Sequence, residues 1–143
     1  MTRVCSVGLV LLSACSSGIR TATAQTSSCA ASNAPATVGL QDYVVRLTGG
    51  DPTLAKKRQG YQLPAATASQ VQLIKTKSIC QQAAQAYNKA VRGPSAAQIS
   101  RTVVVIKVGT SRYVVQDPAE LEGEFQVTVI FDSNFAPLVS FNG

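Results

Sequence analysis

The chain has 143 residues, of which 45% are apolar and 14% are charged, so it is long enough for one modest hydrophobic core and too apolar for a disordered tail. Its formal net charge is +6, from 13 basic residues against 7 acidic ones. Histidine and tryptophan are absent from the sequence, which removes the usual general base and the most common ligand of transition metals.

The first 24 residues have the features of an export signal, with Arg3 before an apolar run that is too short to span a bilayer. Two processing sites compete. The Ala-Thr-Ala sequence at 22–24 matches a signal peptidase site, whereas the Leu-Ser-Ala-Cys sequence at 12–15 resembles a bacterial lipobox. In the lipobox case the signal is 1–14 and Cys15 is acylated. We therefore predict an exported protein of the periplasm, cell envelope or extracellular space, with a lipid anchor as the open alternative.

Removal of the signal takes away Arg3 and Arg20, which leaves 11 basic and 7 acidic residues, a net charge of +4. This surplus is spread over several segments, so we expect no nucleic acid partner. If the protein contacts a membrane, we expect it to do so only through the possible lipid anchor. The expected partner is an unknown protein or glycan of the envelope, and no metal or other cofactor is expected.

We divide the mature chain into a polar tether at 25–35 and a single domain at 36–143. The cysteines that remain after processing are Cys29 and Cys80, and two thiols in an oxidising compartment predict one disulfide. A redox-active pair is disfavoured because the two cysteines lack C-x-x-C spacing. We therefore interpret the pair as structural.

The first part of the domain has a helical pattern. Apolar residues recur at helical spacing over 38–48, although the valine pair there also allows a strand. Gly49 and Gly50 end this segment, and a short helix is predicted at 53–59. The three basic residues of that second helix point in different directions, so we interpret them as a solvated face.

Residues 70–77 form either a short strand or the approach to a helix. The clearest amphipathic helix follows at 78–93, with Ser78 or Thr76 as the expected N-cap. Its expected buried face consists of Cys80, Ala83, Ala84, Tyr87, Ala90 and Val91, with glutamines, Asn88 and Lys89 on the opposite face.

The rest of the chain predicts four antiparallel strands, at 102–108, 112–116, 125–131 and 136–141. Pro137 cannot donate to a ladder, so the last strand is expected at an edge. The predicted fold class is α+β: N-terminal short helices, then one amphipathic helix packed on a four-stranded antiparallel sheet. We expect this helix to cover the alternating Phe/Val row that runs from Phe125 to Phe131.

From Ser78 to Phe141 the order of elements resembles the small helix-on-sheet modules of bacterial envelopes, such as PepSY and cystatin-like domains. The resemblance lies in the order of helix and strands and in no signature residue. It implies a module that binds or inhibits rather than catalyses.

The sequence contains no G-x-S-x-G or S-x-x-K motif and no phosphate-binding glycine loop, which disfavours hydrolases and nucleotide-binding proteins of those kinds. One cluster of carboxylates follows the second strand: Asp117, Glu120, Glu122 and Glu124. Two of these acids could hydrolyse a glycoside and several could hold Ca²⁺, but we favour a solvated loop.

We therefore predict that the protein is not an enzyme, although the sequence leaves this open, and that it is a small exported binding or interaction module. The alternative is a carboxylate-dependent glycan hydrolase that uses the 117–124 loop. The candidate binding surface is the less buried sheet face, with Gln126 and Thr128 on it and Arg112 on the neighbouring strand.

Overall fold

The computed structural model describes residues 26–49, 63–119 and 127–142. These residues form an α+β fold in which two α-helices pack on a six-stranded, mostly antiparallel sheet. The helices are α1 (Pro35–Thr48) and α2 (Lys77–Arg92). The strands are β1 (Ser28–Cys29), β2 (Val71–Leu73), β3 (Thr102–Val108), β4 (Arg112–Gln116), β5 (Val127–Asp132) and β6 (Pro137–Asn142). The helix predicted at 53–59 lies outside the described residues.

β3 is the central strand, and the sheet order is β1-β3-β4-β5-β6. β1 runs parallel to the start of β3, and β2 pairs antiparallel with its end, so two short strands share one side of β3. β4, β5 and β6 follow as antiparallel neighbours. Within the described part of the chain β6 pairs with β5 alone, as the proline at its start predicts.

The four predicted antiparallel strands are present, with boundaries that shift by at most two residues. The prediction of a four-stranded, wholly antiparallel sheet is wrong because β1 and β2 add to it. β1 is two residues long, which is too short to produce a readable alternation of side chains. It also lies inside the segment assigned to the tether, so the folded domain begins earlier than predicted.

The two helices cover opposite faces of the sheet. The stripe formed by Leu40, Val44 and Leu47 of α1 packs against the even-numbered residues of β3, such as Val104 and Ile106. α2 packs against the odd-numbered residues of the same strand and their neighbours on β4 and β5. The expectation of a single covering helix and one open sheet face is therefore wrong, because α1 is a 14-residue amphipathic helix that buries its own apolar stripe.

α2 packs on the sheet as predicted for the helix at 78–93. Cys80, Ala83, Ala84 and Tyr87 are fully buried against the sheet, and these small side chains let the helix approach closely. The predicted disulfide is present: Cys29 and Cys80 are joined with their Cα atoms 5.3 Å apart. Thr76 occupies the N-cap position, but its side chain makes no capping hydrogen bond. The covalent link therefore secures this end of the helix to β1.

Candidate binding cleft

An open cleft of about 970 Å³ lies between α2 and the turn that joins β5 to β6. α2 packs over β1, β3, β4 and β5, whereas β6 lies beyond the helix at the edge of the sheet. The space arises because the sheet extends past the helix. The α2 wall consists of Gln82, Gln85, Ala86, Lys89 and Ala90, and the opposite wall of Ser133, Asn134, Phe135, Ala136 and Pro137, with Pro94 and Ala97 completing the lining.

The turn that forms one wall is fixed by its own hydrogen bonds. The Asp132 carboxylate accepts hydrogen bonds from the backbone N–H groups of Asn134, at 2.8 Å, and Ala136, at 3.0 Å. The Asp132 N–H donates to the Ala136 carbonyl at 3.0 Å, and the Phe135 N–H donates to the Asp132 carbonyl at 3.1 Å. An Asp at the start of a turn commonly binds backbone groups further along in this way. The wall is therefore rigid before any ligand arrives.

Phe135 is held in an unusual backbone conformation at the rim of the cleft. Its φ is 60°, a left-handed value that costs a residue with a Cβ roughly 1–2 kcal/mol. Its ring stacks on Tyr113 with centroids 4.5 Å apart and meets the edge of Phe131 at 5.8 Å. These aromatic contacts and the turn hydrogen bonds offset the backbone cost. Strain of this kind clusters at ligand-binding sites, which makes the turn a candidate functional feature.

The cleft offers the chemistry of recognition rather than of catalysis. Its polar groups are the amides of Gln82, Gln85 and Asn134, the Ser133 hydroxyl and the Lys89 ammonium group. No carboxylate lies among the described residues that line it. Within the same described ranges no group of three or more potential metal ligands occurs. The cleft can hydrogen-bond and pack against a ligand, but its lining lacks a paired acid and base.

A buried charge cluster lies at the C-terminal end of α2. Asp117 is 1% exposed, and its Oδ2 lies 3.4 Å from Arg101 Nη1 and 3.7 Å from Arg92 Nη2. Its Oδ1 accepts a hydrogen bond from the Ala119 N–H at 2.9 Å. Arg92 also donates to Asn88 Oδ1 at 3.0 Å. The cluster joins α2, the segment before β3 and the end of β4.

Asn88 corrects the predicted polar face of α2, because it is fully buried. Its Nδ2 donates to the Ile99 carbonyl at 2.9 Å while its Oδ1 accepts from Arg92, so its amide is satisfied inside the protein. Ala90, which we expected on the buried face, is exposed and lines the cleft. The buried face of α2 is thus rotated slightly about the helix axis from the face that its apolar residues alone indicate.

Tyr87 extends from α2 to β5. Its hydroxyl donates a hydrogen bond to the Val127 carbonyl at 2.9 Å, and burial, with the Asp117 charge as a smaller contribution, raises its pKa to about 12. The neutral phenol therefore persists to high pH. It acts as a fixed donor that holds β5 beneath the helix.

The structure does not support the candidate surface inferred from the sequence. Thr128 is fully buried, and its hydroxyl accepts a 2.7 Å hydrogen bond from Gln116 Nε2 inside the sheet layer that α1 covers. Arg112 lies opposite Asp132, at the other end of the β4–β5 ladder and about 13 Å away along the strand. Gln126 and Cys15 lie outside the described residues.

Asp117 also differs from the solvated loop residue expected from the sequence, since it is buried between two arginines. This burial keeps it from touching a substrate. The other acids of the predicted hydrolase site, Glu120, Glu122 and Glu124, lie outside the described residues. Sequence analysis predicted a turn after β5, but nothing in the residue types marked Phe135 or the cleft beside it.

In the described ranges, no helix is both long and apolar enough to cross a membrane. Comparisons with models of protein families, with curated proteins and with solved structures found no match. The resemblance to PepSY and cystatin-like modules therefore stays a prediction.

Proposed function

We propose that the protein is a non-enzymatic exported binding module whose cleft between α2 and the β5–β6 turn takes part of another envelope component. The observation that carries the proposal is the open cleft with a preformed wall. Because that wall needs no ordering when a ligand binds, little conformational entropy is lost there. A left-handed aromatic residue at its rim fits a site built for recognition.

Two further observations support the proposal. The Cys29–Cys80 disulfide suits an oxidising compartment, in agreement with the export signal read from residues 1–24. The burial of Asp117 counts against the alternative of a carboxylate-dependent glycan hydrolase, because this acid cannot reach a sugar. Most of the described sheet is buried on both faces, since a helix packs on each. The cleft lies where the sheet extends past α2, and polar groups line both of its walls.

The test places a photo-crosslinking amino acid at Gln85, inside the cleft, and at Val38, which is 53% exposed on α1 and far from it. We expect a discrete adduct from Gln85 after irradiation of intact envelopes. The adduct should disappear when Ala90→Trp places an indole ring in the cleft and should persist when Val38→Trp places one on the exposed surface of α1. Equal labelling from both positions, or an adduct insensitive to Ala90→Trp, would contradict the proposal.

A further inference from the structure

β6 is an edge strand whose protection against pairing lies at its start, where Pro137 and a register shift opposite Ile130 and Phe131 interrupt the ladder. Among the described residues it is hydrogen-bonded to β5 and to no other strand, and its six residues include no charged side chain. Protein edges are commonly shielded by lysine, by a bulge or by a covering segment. Here Pro137 removes one N–H at the start of the strand, and Leu138 next to it is 43% exposed. The remaining backbone groups along this edge follow the spacing of a strand.

The cleft continues along this edge. A second hollow of about 310 Å³ adjoins the far half of β6 and is lined by Ala90, Val91, Val127, Ser140, Phe141 and Asn142. Ala90 borders both hollows, and Pro137 lines the larger one. The two hollows share Ala90 and lie beside opposite ends of β6, and we refer to them together as the trough. A strand added to β6 would lie about 4.8 Å beyond it, with alternate side chains directed to the helix side.

The charge on the α2 side of the trough indicates which kind of ligand it favours. α2 carries no acidic residue, and its Lys89 lines the cleft directly, whereas Arg92 of the same helix is paired with Asp117 and Asn88. The described acids nearest the trough are engaged elsewhere, since Asp132 binds the turn and Asp117 is buried between arginines. An acidic side chain in the trough would meet Lys89 without a competing carboxylate among the described lining residues.

We propose that the trough binds an extended acidic peptide segment of a partner protein, which adds to β6 as a further strand and directs a carboxylate to Lys89. This inference rests on the proposed function and specifies its ligand. A peptide is favoured over a glycan because a strand edge presents backbone donors and acceptors at the spacing of another backbone. The alanine and proline surfaces of the trough also suit aliphatic side chains.

The first experiment selects short random peptides displayed on phage against the immobilised domain, with Ala90→Trp as the counter-selection. We expect enriched sequences that combine acidic residues with β-branched ones. Anisotropy titrations of a labelled selected peptide should show roughly tenfold weaker binding to Lys89→Glu and unchanged binding to Lys75→Glu, a matched change at an exposed residue outside the trough. Enrichment of basic or neutral peptides, or equal losses in both variants, would overturn the charge assignment.

The second experiment tests strand addition without altering the protein. The selected peptide is N-methylated at every second residue in either of two frames. One frame removes the N–H groups that face β6 and should abolish binding, whereas the other should be tolerated. Binding in both frames would overturn strand addition. A third outcome separates the two proposals. If no peptide is selected, but polygalacturonate binds to the wild type and not to Ala90→Trp, the peptide inference fails and the binding-module proposal stands. If photo-crosslinking from Gln85 gives no discrete adduct, the proposed function itself is contradicted.

Discussion

Replacement of both Cys29 and Cys80 by alanine should lower the free energy of unfolding by about 4 kcal/mol. The disulfide joins residues 51 positions apart, and in the chain-entropy model the closure of a loop of that length restricts the unfolded chain by this amount. Domains of this size typically have about 5–15 kcal/mol of stability in total, so the loss is a large fraction. A further loss of about 1 kcal/mol is expected because Cys80 is fully buried and alanine leaves a small void.

Urea titrations followed by far-UV circular dichroism measure this effect. Free energies rather than midpoints must be compared, because a cross-link compacts the unfolded chain and changes the urea dependence. Reduction of the wild-type protein keeps both sulfur atoms and should reproduce the larger share of the loss. The reductant should not change the double variant. A wild-type protein whose unfolding free energy falls by less than about 1 kcal/mol on complete reduction would refute the loop-entropy argument.

Three other predictions concern the polar groups of α2 and its surroundings. Asp117→Asn should destabilise the protein by about 3 kcal/mol in urea, since it leaves two partly buried arginines without their carboxylate, whereas the exposed Asp42→Asn control should cost less than about 0.5 kcal/mol. Because the folded-state pKa of Tyr87 is about 12 against 10 for the free side chain, its contribution to stability is complete below pH 10 and is lost as the pH rises toward 12. Ultraviolet titration of Tyr87→Phe should therefore lack a phenol transition near pH 12 that the wild type shows, and an unchanged titration would refute the assignment. Asn88→Ala should lower the unfolding free energy by about 1–3 kcal/mol because it removes the buried amide that binds the Ile99 carbonyl and Arg92, and a change below about 0.5 kcal/mol would show that water replaces the amide.

The strands that the sequence predicts most accurately are those with the clearest side-chain patterns. β3 is a continuous apolar run and β4 follows it after a short turn, and both have the predicted boundaries. α2 and its disulfide were also predictable, because the clearest amphipathic helix carries one of the two cysteines that remain after the predicted processing. Local pattern and cysteine number were sufficient for these features.

The burial of both sheet faces was not predictable from the same patterns. Thr128 alternates with valine and phenylalanine along β5, which indicated a solvated face, yet the Gln116 amide satisfies its hydroxyl within the sheet. A polar residue paired inside a core has the same sequence pattern as an exposed one. The apolar stripe of α1 predicted a buried helix face, but such a stripe does not specify which side of the sheet it will cover.

The cleft was missed for a different reason. Its rim depends on Phe135 at a positive φ, and an aromatic residue gives no sequence signal for that conformation, as glycine or asparagine would. Its existence also depends on where α2 stops covering the sheet. The end of this coverage is set by the angle at which α2 crosses the strands, which is a property of the tertiary structure and not of any local segment.

The position of the disulfide determines how the domain would carry a mechanical load. β1 is held to β3 through just two residue pairs, Ser28 with Thr102 and Cys29 with Val103, and so short a strand would detach easily under tension. Cys29 is bonded covalently to the first turn of α2, however, so force applied through the chain before Thr26 passes directly into the helix. The opposite flank of that helix frames the cleft. Tension on the N-terminal side of the domain would therefore reach the helix beside the binding site once β1 has detached, while β3, β4, β5 and β6 remain paired.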